Sequence, residues 1–125
     1  MSHAMTIRTE PINEDCVVVT LHGRFDASNA DAAKETLKRI IDANVSTVIV
    51  DLTQVPFIDS AGLSTLVSSL KRARSTGGNV LLSGVQPQTR TVFELTMLDR
   101  VFSIHPTAQV ALDSLNQKPE LSAPE

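Results

Sequence analysis

Aromatic side chains are nearly missing from this sequence of 125 residues, which contains four phenylalanines but neither tryptophan nor tyrosine. A surface that stacks the bases of single-stranded nucleic acid needs aromatic faces, so this composition argues against one. The net charge is −3, and the short basic run Lys71, Arg72 and Arg74 is typical of a solvated helix end. We therefore expect no direct contact with nucleic acid.

Cysteine and long apolar runs are equally sparse. Cys16 is the single cysteine, which excludes an intrachain disulfide, and its apolar setting predicts a buried, unreactive thiol. The sequence has no apolar run near the length of a membrane span and no signal-peptide pattern, so we expect a cytoplasmic protein without membrane insertion. Residues 1–4 are interpreted as a cloning remnant and play no part in the fold prediction.

Catalytic and ligand-binding motifs are missing as well, including phosphate-binding glycine loops and clustered metal ligands. Asp51 could be a receiver-type phosphoacceptor, but the acidic pair and the lysine that this chemistry needs are absent from the other strand ends. A serine hydrolase is poorly supported, because Ser60 lacks the preceding glycine of a nucleophile elbow and His22 and His105 lie in ordinary turns. We expect no catalytic residue, no metal and no cofactor.

The sequence does contain enough aliphatic side chains for one core, with 42% hydrophobic and 20% charged residues. Strand-like and helix-like segments alternate, and a strand–helix–strand order predicts parallel pairs with right-handed crossovers. We predict an α/β fold with one domain over residues 5–115 and a disordered tail over 116–125. Its mixed, mostly parallel sheet has about five strands with about four helices packed on it.

The predicted elements follow the hydrophobic periodicity of each segment. An antiparallel hairpin opens the domain, and its edge strand is expected to end before Pro11. Ser28 and Asp31 resemble a capping box for the first helix. The predicted strands are Thr6–Thr9, Cys16–Leu21, Val45–Val50, Asn79–Leu82 and Val101–Ile104, and the helices end near Asp42, Arg74, Leu98 and Leu115. The predicted inward residues of the first three helices are Ala33, Leu37, Ile40 and Ile41, then Leu63, Leu66, Val67, Leu70 and Ala73, then Val92, Leu95 and Leu98.

Ser60 stands where a buried strand leads through a short loop into the second helix. A helix start offers free backbone N–H donors and a partial positive charge, so a hydroxyl there serves either as a cap or as a place for a phosphate. We expect the N–H groups of Ala61, Gly62 and Leu63 to face a phosphate on this serine. From spacing alone, a simple N-cap is the more common explanation.

Three motifs follow one another along the chain: Gly-x-x-Asp before the first helix, D-L-x-x-V-x-F-I-D-S-x-G-L before the second, and a leucine and a phenylalanine leading to the last strand. The first motif contains Gly23 and Asp26, the second contains Asp59, Ser60 and Gly62, and the third contains Leu95 and Phe102. In this order they resemble the STAS family and, within it, the bacterial anti-sigma factor antagonists. The resemblance covers nearly the whole chain from Gly23 to Leu115.

The resemblance implies a protein switch and not an enzyme. In such antagonists, the serine at the position of Ser60 is phosphorylated by a serine kinase that is also the anti-sigma factor, and a serine phosphatase restores it. The unmodified form binds the kinase, which then releases a sigma factor. We expect a monomer or weak homodimer. The expected partner-binding residues are Asp26, Ser28, Asn29, Asp59, Ser60, Ala61, Gly62, Leu63 and Ser64.

A second hypothesis comes from the breadth of the same family. It also includes domains that bind constitutively, without phosphorylation, in lipid-transport or stress-signalling complexes. The serine at position 60 favours the phosphorylated class, because lipid-trafficking relatives commonly carry threonine there.

Overall fold

Five strands form one mixed sheet in the computed structural model, which describes residues 5–116. Helices cover both faces of this sheet, and a short 3₁₀ turn at Leu98–Arg100 precedes the last strand. The strands are β1 (Thr6–Asn13), β2 (Cys16–His22), β3 (Thr47–Gln54), β4 (Asn79–Ser83) and β5 (Ile104–His105). The helices are α1 (Ala30–Asp42), α2 (Ser60–Ser75), α3 (Pro87–Leu95) and α4 (Ala108–Leu115).

The sheet order is β1-β2-β3-β4-β5, and only the β1–β2 pair is antiparallel. Each parallel pair of strands is therefore joined by a crossover that contains a helix, as the sequence predicts. Side chains alternate between the two faces of every strand. Val19, Val50 and Leu82 are fully buried beneath α1, α2 and α3, whereas Ile49 packs against Ala111 of α4 on the opposite face. The predicted fold class is confirmed.

The hairpin is confirmed, but its edge strand is longer than predicted. β1 continues through Pro11 to Asn13, with an irregular register between these two residues. A proline is tolerated here because an edge strand has one side without a sheet partner, so a missing N–H donor costs little. The expected strand end before Pro11 is wrong for this reason.

The third strand is displaced from its predicted position. It was expected at Val45–Val50 but runs over Thr47–Gln54. The chain is still turning out of α1 at Asn44, which has a left-handed φ of 68°. The strand then extends to Gln54, which pairs with the end of β2, and Leu52 is fully buried.

The third helix ends earlier than expected. Of its predicted inward residues, Val92 and Leu98 pack against the core, whereas Leu95 does not. Leu95 is 80% exposed, while Phe93 is fully buried and packs edge-on against Phe102 with ring centroids 6.3 Å apart. Met97 has a left-handed φ of 61°, which ends helical continuity before the 3₁₀ turn. That turn extends close to Val101, so the predicted strand Val101–Ile104 is reduced to the two residues of β5.

The other predicted boundaries agree with the structure within two residues, and the predicted inward residues of α1 and α2 lie in or against the core. Across residues 5–116, no helix combines the length and apolar character needed to cross a membrane. The predicted remnant at residues 1–4 lies outside the described part of the chain. Nearly all of the predicted tail, residues 117–125, also lies outside it.

Candidate functional site

Two loops meet at the edge of the sheet where the parallel strands end. One follows β2 and leads to α1, and the other joins β3 to α2. Phe25 and Ile58 form an isolated parallel bridge between them. The N–H of Phe25 donates to the carbonyl of Phe57 at 2.9 Å, and the N–H of Asp59 donates to the carbonyl of Phe25 at 3.2 Å. These bonds hold the starts of α1 and α2 side by side.

Asp59 caps α2, and Ser60 is the first residue inside the helix. The Asp59 Oδ1 atom accepts hydrogen bonds from the N–H groups of Ala61 at 2.9 Å and Gly62 at 3.1 Å. The N–H of Leu63 donates to the Asp59 carbonyl at 3.0 Å. The three N–H groups expected to face a phosphate are therefore occupied by Asp59, and that expectation is wrong.

The second carboxylate oxygen of Asp59 reaches across to the other loop. Its Oδ2 atom accepts a hydrogen bond from the N–H of Ala27 at 3.2 Å. One side chain thus fixes both the first turn of α2 and the loop before α1. A charged acceptor of this kind is among the stronger N-caps.

Ser60 is exposed, and within residues 5–116 its hydroxyl makes no hydrogen bond. The simple N-cap explanation of this serine is therefore wrong, because its neighbour Asp59 performs that role. Ser64 is also exposed, one turn further along α2. The Ser60 hydroxyl is accordingly accessible from solvent.

Asp26 organises the loop before α1. Its Oδ1 atom accepts hydrogen bonds from the Ser28 hydroxyl at 2.6 Å and the Ser28 N–H at 3.1 Å. The Ser28 hydroxyl bond is the main reason that the pKa of Asp26 is lowered from its ordinary value. Because Ser28 is engaged in this way, the predicted capping box with Asp31 does not form, and the N-cap of α1 is Asn29, without a side-chain cap bond.

Three of the predicted partner-binding residues lie beneath the surface. Asn29 is 6% exposed; its amide donates to the Arg24 carbonyl at 2.6 Å and its Oδ1 accepts from the Met5 N–H at 3.2 Å. Gly62 and Leu63 are also buried. A Cβ atom on Gly62 would lie 2.5 Å from the carbonyl oxygen of Phe25, so glycine permits the close approach of helix and loop.

Sequence reasoning missed two neighbours of this site, Arg24 and Phe57. The Arg24 guanidinium carbon lies 4.0 Å from the centroid of the Phe57 ring, which is a cation–π geometry. Phe57 is 37% exposed, and the Arg24 Nε lies 3.4 Å from the Asp26 carboxylate. A phenylalanine in a loop of a chain so poor in aromatics could have indicated the position.

The STAS domain model matches residues 8–111 of this chain. The chain belongs to the STAS domain family. The anti-sigma-B factor antagonist of Listeria monocytogenes is 27% identical over 100 residues, which cover 80% of this chain and 88% of the relative.

Two solved structures have the same fold. An anti-sigma factor antagonist from Mycobacterium paratuberculosis has a TM-score of 0.81 at 26% identity, covering 90% of this chain and 95% of the other. Unphosphorylated SpoIIAA has a TM-score of 0.79 at 21% identity, covering 89% of this chain and 96% of its own. The second likeness concerns the fold alone.

Elsewhere in this STAS domain, Asp51, Ser83 and His105 lie in one row across β3, β4 and β5. Ser83 is fully buried, and among the described residues its hydroxyl has no hydrogen-bond partner. Asp51 instead accepts from the Thr53 hydroxyl at 2.6 Å. The row therefore lacks the bond between nucleophile and base that defines a catalytic triad. Within residues 5–116, no group of three or more acidic, histidine or cysteine side chains could hold a metal ion.

Proposed function

We propose that this STAS domain is an anti-sigma factor antagonist, and that phosphorylation of Ser60 prevents it from binding its partner. The single observation that carries the proposal is the division of roles between two neighbours. Asp59 caps α2, whereas the Ser60 hydroxyl is exposed and makes no hydrogen bond in the described part of the chain. The membership of the family and the names of its relatives agree with this function.

The proposed cycle takes place in the cytoplasm and has two states. The unmodified domain binds an anti-sigma factor that is itself a serine kinase, and the anti-sigma factor releases its sigma factor. The kinase transfers the γ-phosphoryl group of ATP to the Ser60 oxygen, the serine proton is lost, and ADP leaves. A serine phosphatase hydrolyses the phosphate ester and restores the binding form.

The surface of the proposed interface is formed by the two loops and the first turns of α2. Asp26, Ser28, Asp59, Ser60, Ala61 and Ser64 lie at least partly exposed there. Asn29, Gly62 and Leu63 support that surface from below and set its shape. We add Arg24 and Phe57, because an exposed aromatic ring with a stacked arginine has the composition of an interface hot spot.

Electrostatics explains why a phosphate would oppose binding. A phosphoserine carries about −1.5 to −2 charges at neutral pH. Asp26 and Asp59 already make this surface acidic, and the N–H groups of the first turn are occupied by Asp59. The added charge would therefore face the partner, where about 2.7 kcal/mol of repulsion and lost complementarity lowers affinity a hundredfold.

The first test compares Ser60→Ala and Ser60→Asp with wild type against the anti-sigma factor kinases of the same organism. We expect Ser60→Ala to abolish labelling by the kinase with ATP while binding is kept, and Ser60→Asp to weaken binding strongly. Calorimetry measures affinity and peptide mass spectrometry locates the phosphate. Ser64→Ala is the matched control for labelling, because it removes a hydroxyl one turn away on the same helix.

Labelling that persists in Ser60→Ala would move the acceptor elsewhere and contradict the proposal. Absence of phosphate on Ser60 in protein from its own cells, both in growth and under stress, would favour a constitutively binding STAS subunit of a lipid-transport or stress-signalling complex.

A further inference from the structure

A small cleft separates α1 from α2 on the outer side of the helix layer. Its cavity has a volume of about 60 Å³ and is lined by Lys34 and Lys38 of α1 and by Ser68, Ser69 and Arg72 of α2. Among residues 5–116, no carboxylate lines it. The cavity has room for a small polar group and not for a whole metabolite.

Positive charge is in excess at this cleft, although the chain has a net charge of −3. Asp42 is the carboxylate shared by two of the cations: it lies 2.7 Å from the Arg72 Nε and 3.3 Å from the Lys38 Nζ. Within residues 5–116, Lys34 forms no salt bridge. Three cations thus surround the cleft with one carboxylate between them.

A serine of low exposure, Ser69, also lines the cleft. Ser69 lines the cavity and is 5% exposed, and we find no hydrogen-bond partner for its hydroxyl in the described part of the chain. Its neighbour Ser68 is different, because its hydroxyl donates to the Thr65 carbonyl at 3.1 Å. A hydroxyl at the cavity wall that is not engaged in this way can donate a hydrogen bond to an incoming acceptor.

The cleft is continuous with the proposed Ser60 surface. Ser60, Ser64 and Ser68 follow one another at four-residue intervals, so they lie along one side of α2. The rise of a helix puts Ser68 about 12 Å along the axis from Ser60. The surface therefore runs from an acidic end, at Asp26 and Asp59, to a basic end at the cleft.

We propose that the cleft binds the carboxylate of an acidic side chain on the same protein that docks at Ser60. This inference rests on the proposed function. The lysine ammonium groups supply the charge, and the Ser69 hydroxyl donates a hydrogen bond to the carboxylate. An interface with opposite charges at its two ends accepts a partner in one orientation only, so the cleft sets the register in which the partner meets Ser60.

The experiment compares the full chain carrying Lys34→Glu and Lys38→Glu with a control carrying Arg39→Glu and Lys71→Glu. Both pairs make the same change in the net charge of the chain, but the control residues are exposed and do not line the cleft. We expect the cleft variant to bind the cognate anti-sigma factor about tenfold more weakly, and the control to stay within about threefold of wild type. Melting temperatures are measured for both.

Ser69→Ala provides a second test that leaves the charge unchanged. It removes the hydroxyl donor, so we expect affinity to fall about threefold or more while the melting temperature stays close to that of wild type. If the chain with Lys34→Glu and Lys38→Glu does not fold, the affinity of Ser69→Ala alone tests whether the cleft binds the partner.

The inference is overturned if the cleft variants bind as tightly as wild type, or if the control pair weakens binding as much as the cleft pair. In either case, a loss of binding by Ser60→Asp in the same assay would leave the proposed function intact. If the wild-type chain binds none of the organism's anti-sigma factors, both the proposed function and this inference fail.

Discussion

Two adjacent side chains at the start of α2 have separate duties. The Asp59 carboxylate accepts hydrogen bonds from the first turn of α2 and from the N–H of Ala27 in the loop before α1. The Ser60 hydroxyl is free in the described part of the chain. If one residue both capped the helix and accepted the phosphate, each modification would break the cap. With the roles divided, the proposed phosphorylation of Ser60 would leave the cap of α2 in place.

Stability measurements on these two residues test this division. We expect Asp59→Ala to lower the free energy of unfolding by about 1–2 kcal/mol, because it removes an N-cap acceptor and the bond to Ala27. Ser60→Ala should change it by about 0.5 kcal/mol or less, as at an exposed site without contacts. Urea unfolding followed by circular dichroism measures both. Equal losses for the two variants would show that Ser60 shares the cap.

The sequence locates this site but not its atomic arrangement. The Asp-Ser pair and the following glycine mark the helix start, yet aspartate and serine are similarly good N-caps, so spacing alone does not decide between them. The deciding contact is the N–H of Ala27, 32 residues away from Asp59 along the chain. The burial of Asn29 likewise depends on tertiary contacts with Arg24 and Met5.

At the scale of secondary structure, α1 and α2 are joined at their far ends by Asp42 and Arg72. Two guanidinium nitrogens lie 2.7 Å and 2.9 Å from the two carboxylate oxygens, which is a bidentate pair. The hydrogen bond from Arg72 is the main reason that the pKa of Asp42 falls from 3.8 to about 2. The two helices are therefore held at both ends, by Asp59 near the loops and by the Asp42–Arg72 pair at the far ends.

This pair predicts an acid-dependent contribution to stability. A carboxyl whose pKa is lower in the folded state stabilises the fold above its unfolded pKa and loses that effect as the pH falls through the folded value. We expect Asp42→Asn to lower the melting temperature at pH 5–7, and the difference from wild type to disappear between about pH 3.8 and about pH 2. Thermal unfolding at stepped pH values measures it.

Glu35→Gln is the control for loss of a negative charge, because Glu35 is exposed on the same helix and forms no salt bridge within residues 5–116. A difference between Asp42→Asn and wild type that persists unchanged at pH 2 would contradict the ion pair as its cause.

The order of helices and strands could be predicted from periodicity, but the buried face of α3 and the end of β3 could not. Leu95 fits an apolar stripe in the sequence, yet α3 buries Phe93 instead, because the larger ring packs against Phe102 from beyond the helix. The end of β3 depends in a similar way on pairing between Gln54 and His22 of β2. The buried face of a helix and the end of a strand thus depend on contacts with residues distant in sequence, and a local sequence pattern carries no information about those contacts.

For the molecule as a whole, the exposed edge at β1 bears on self-association. Pro11 removes a backbone donor from that edge, and Arg8 and Glu10 place charges along it. These are features that prevent edge strands from pairing with another copy. The opposite edge, β5, has only two residues. Both edges therefore disfavour pairing with another copy through the sheet.

The packing of the domain around Ser60 also determines the effect of a charge at this residue. The core beneath the site is rigidly packed, with Val50, Leu66 and Leu82 fully buried, and the two loops are bonded to each other through backbone groups. A phosphate at the exposed rim adds charge without entering this core. We therefore expect the switch to act by local electrostatics, with the fold unchanged.

Amide NMR spectra of wild type and Ser60→Asp test this expectation. Chemical-shift changes should be confined to residues 24–29 and 57–64, and amide exchange rates in β3 and β4 should be unaltered. Ser64→Asp is the matched control, because it places the same charge one turn further along the same helix. Shift changes that reach α4 in Ser60→Asp alone would mean that the charge rearranges the domain, since α4 packs on the opposite face of the sheet.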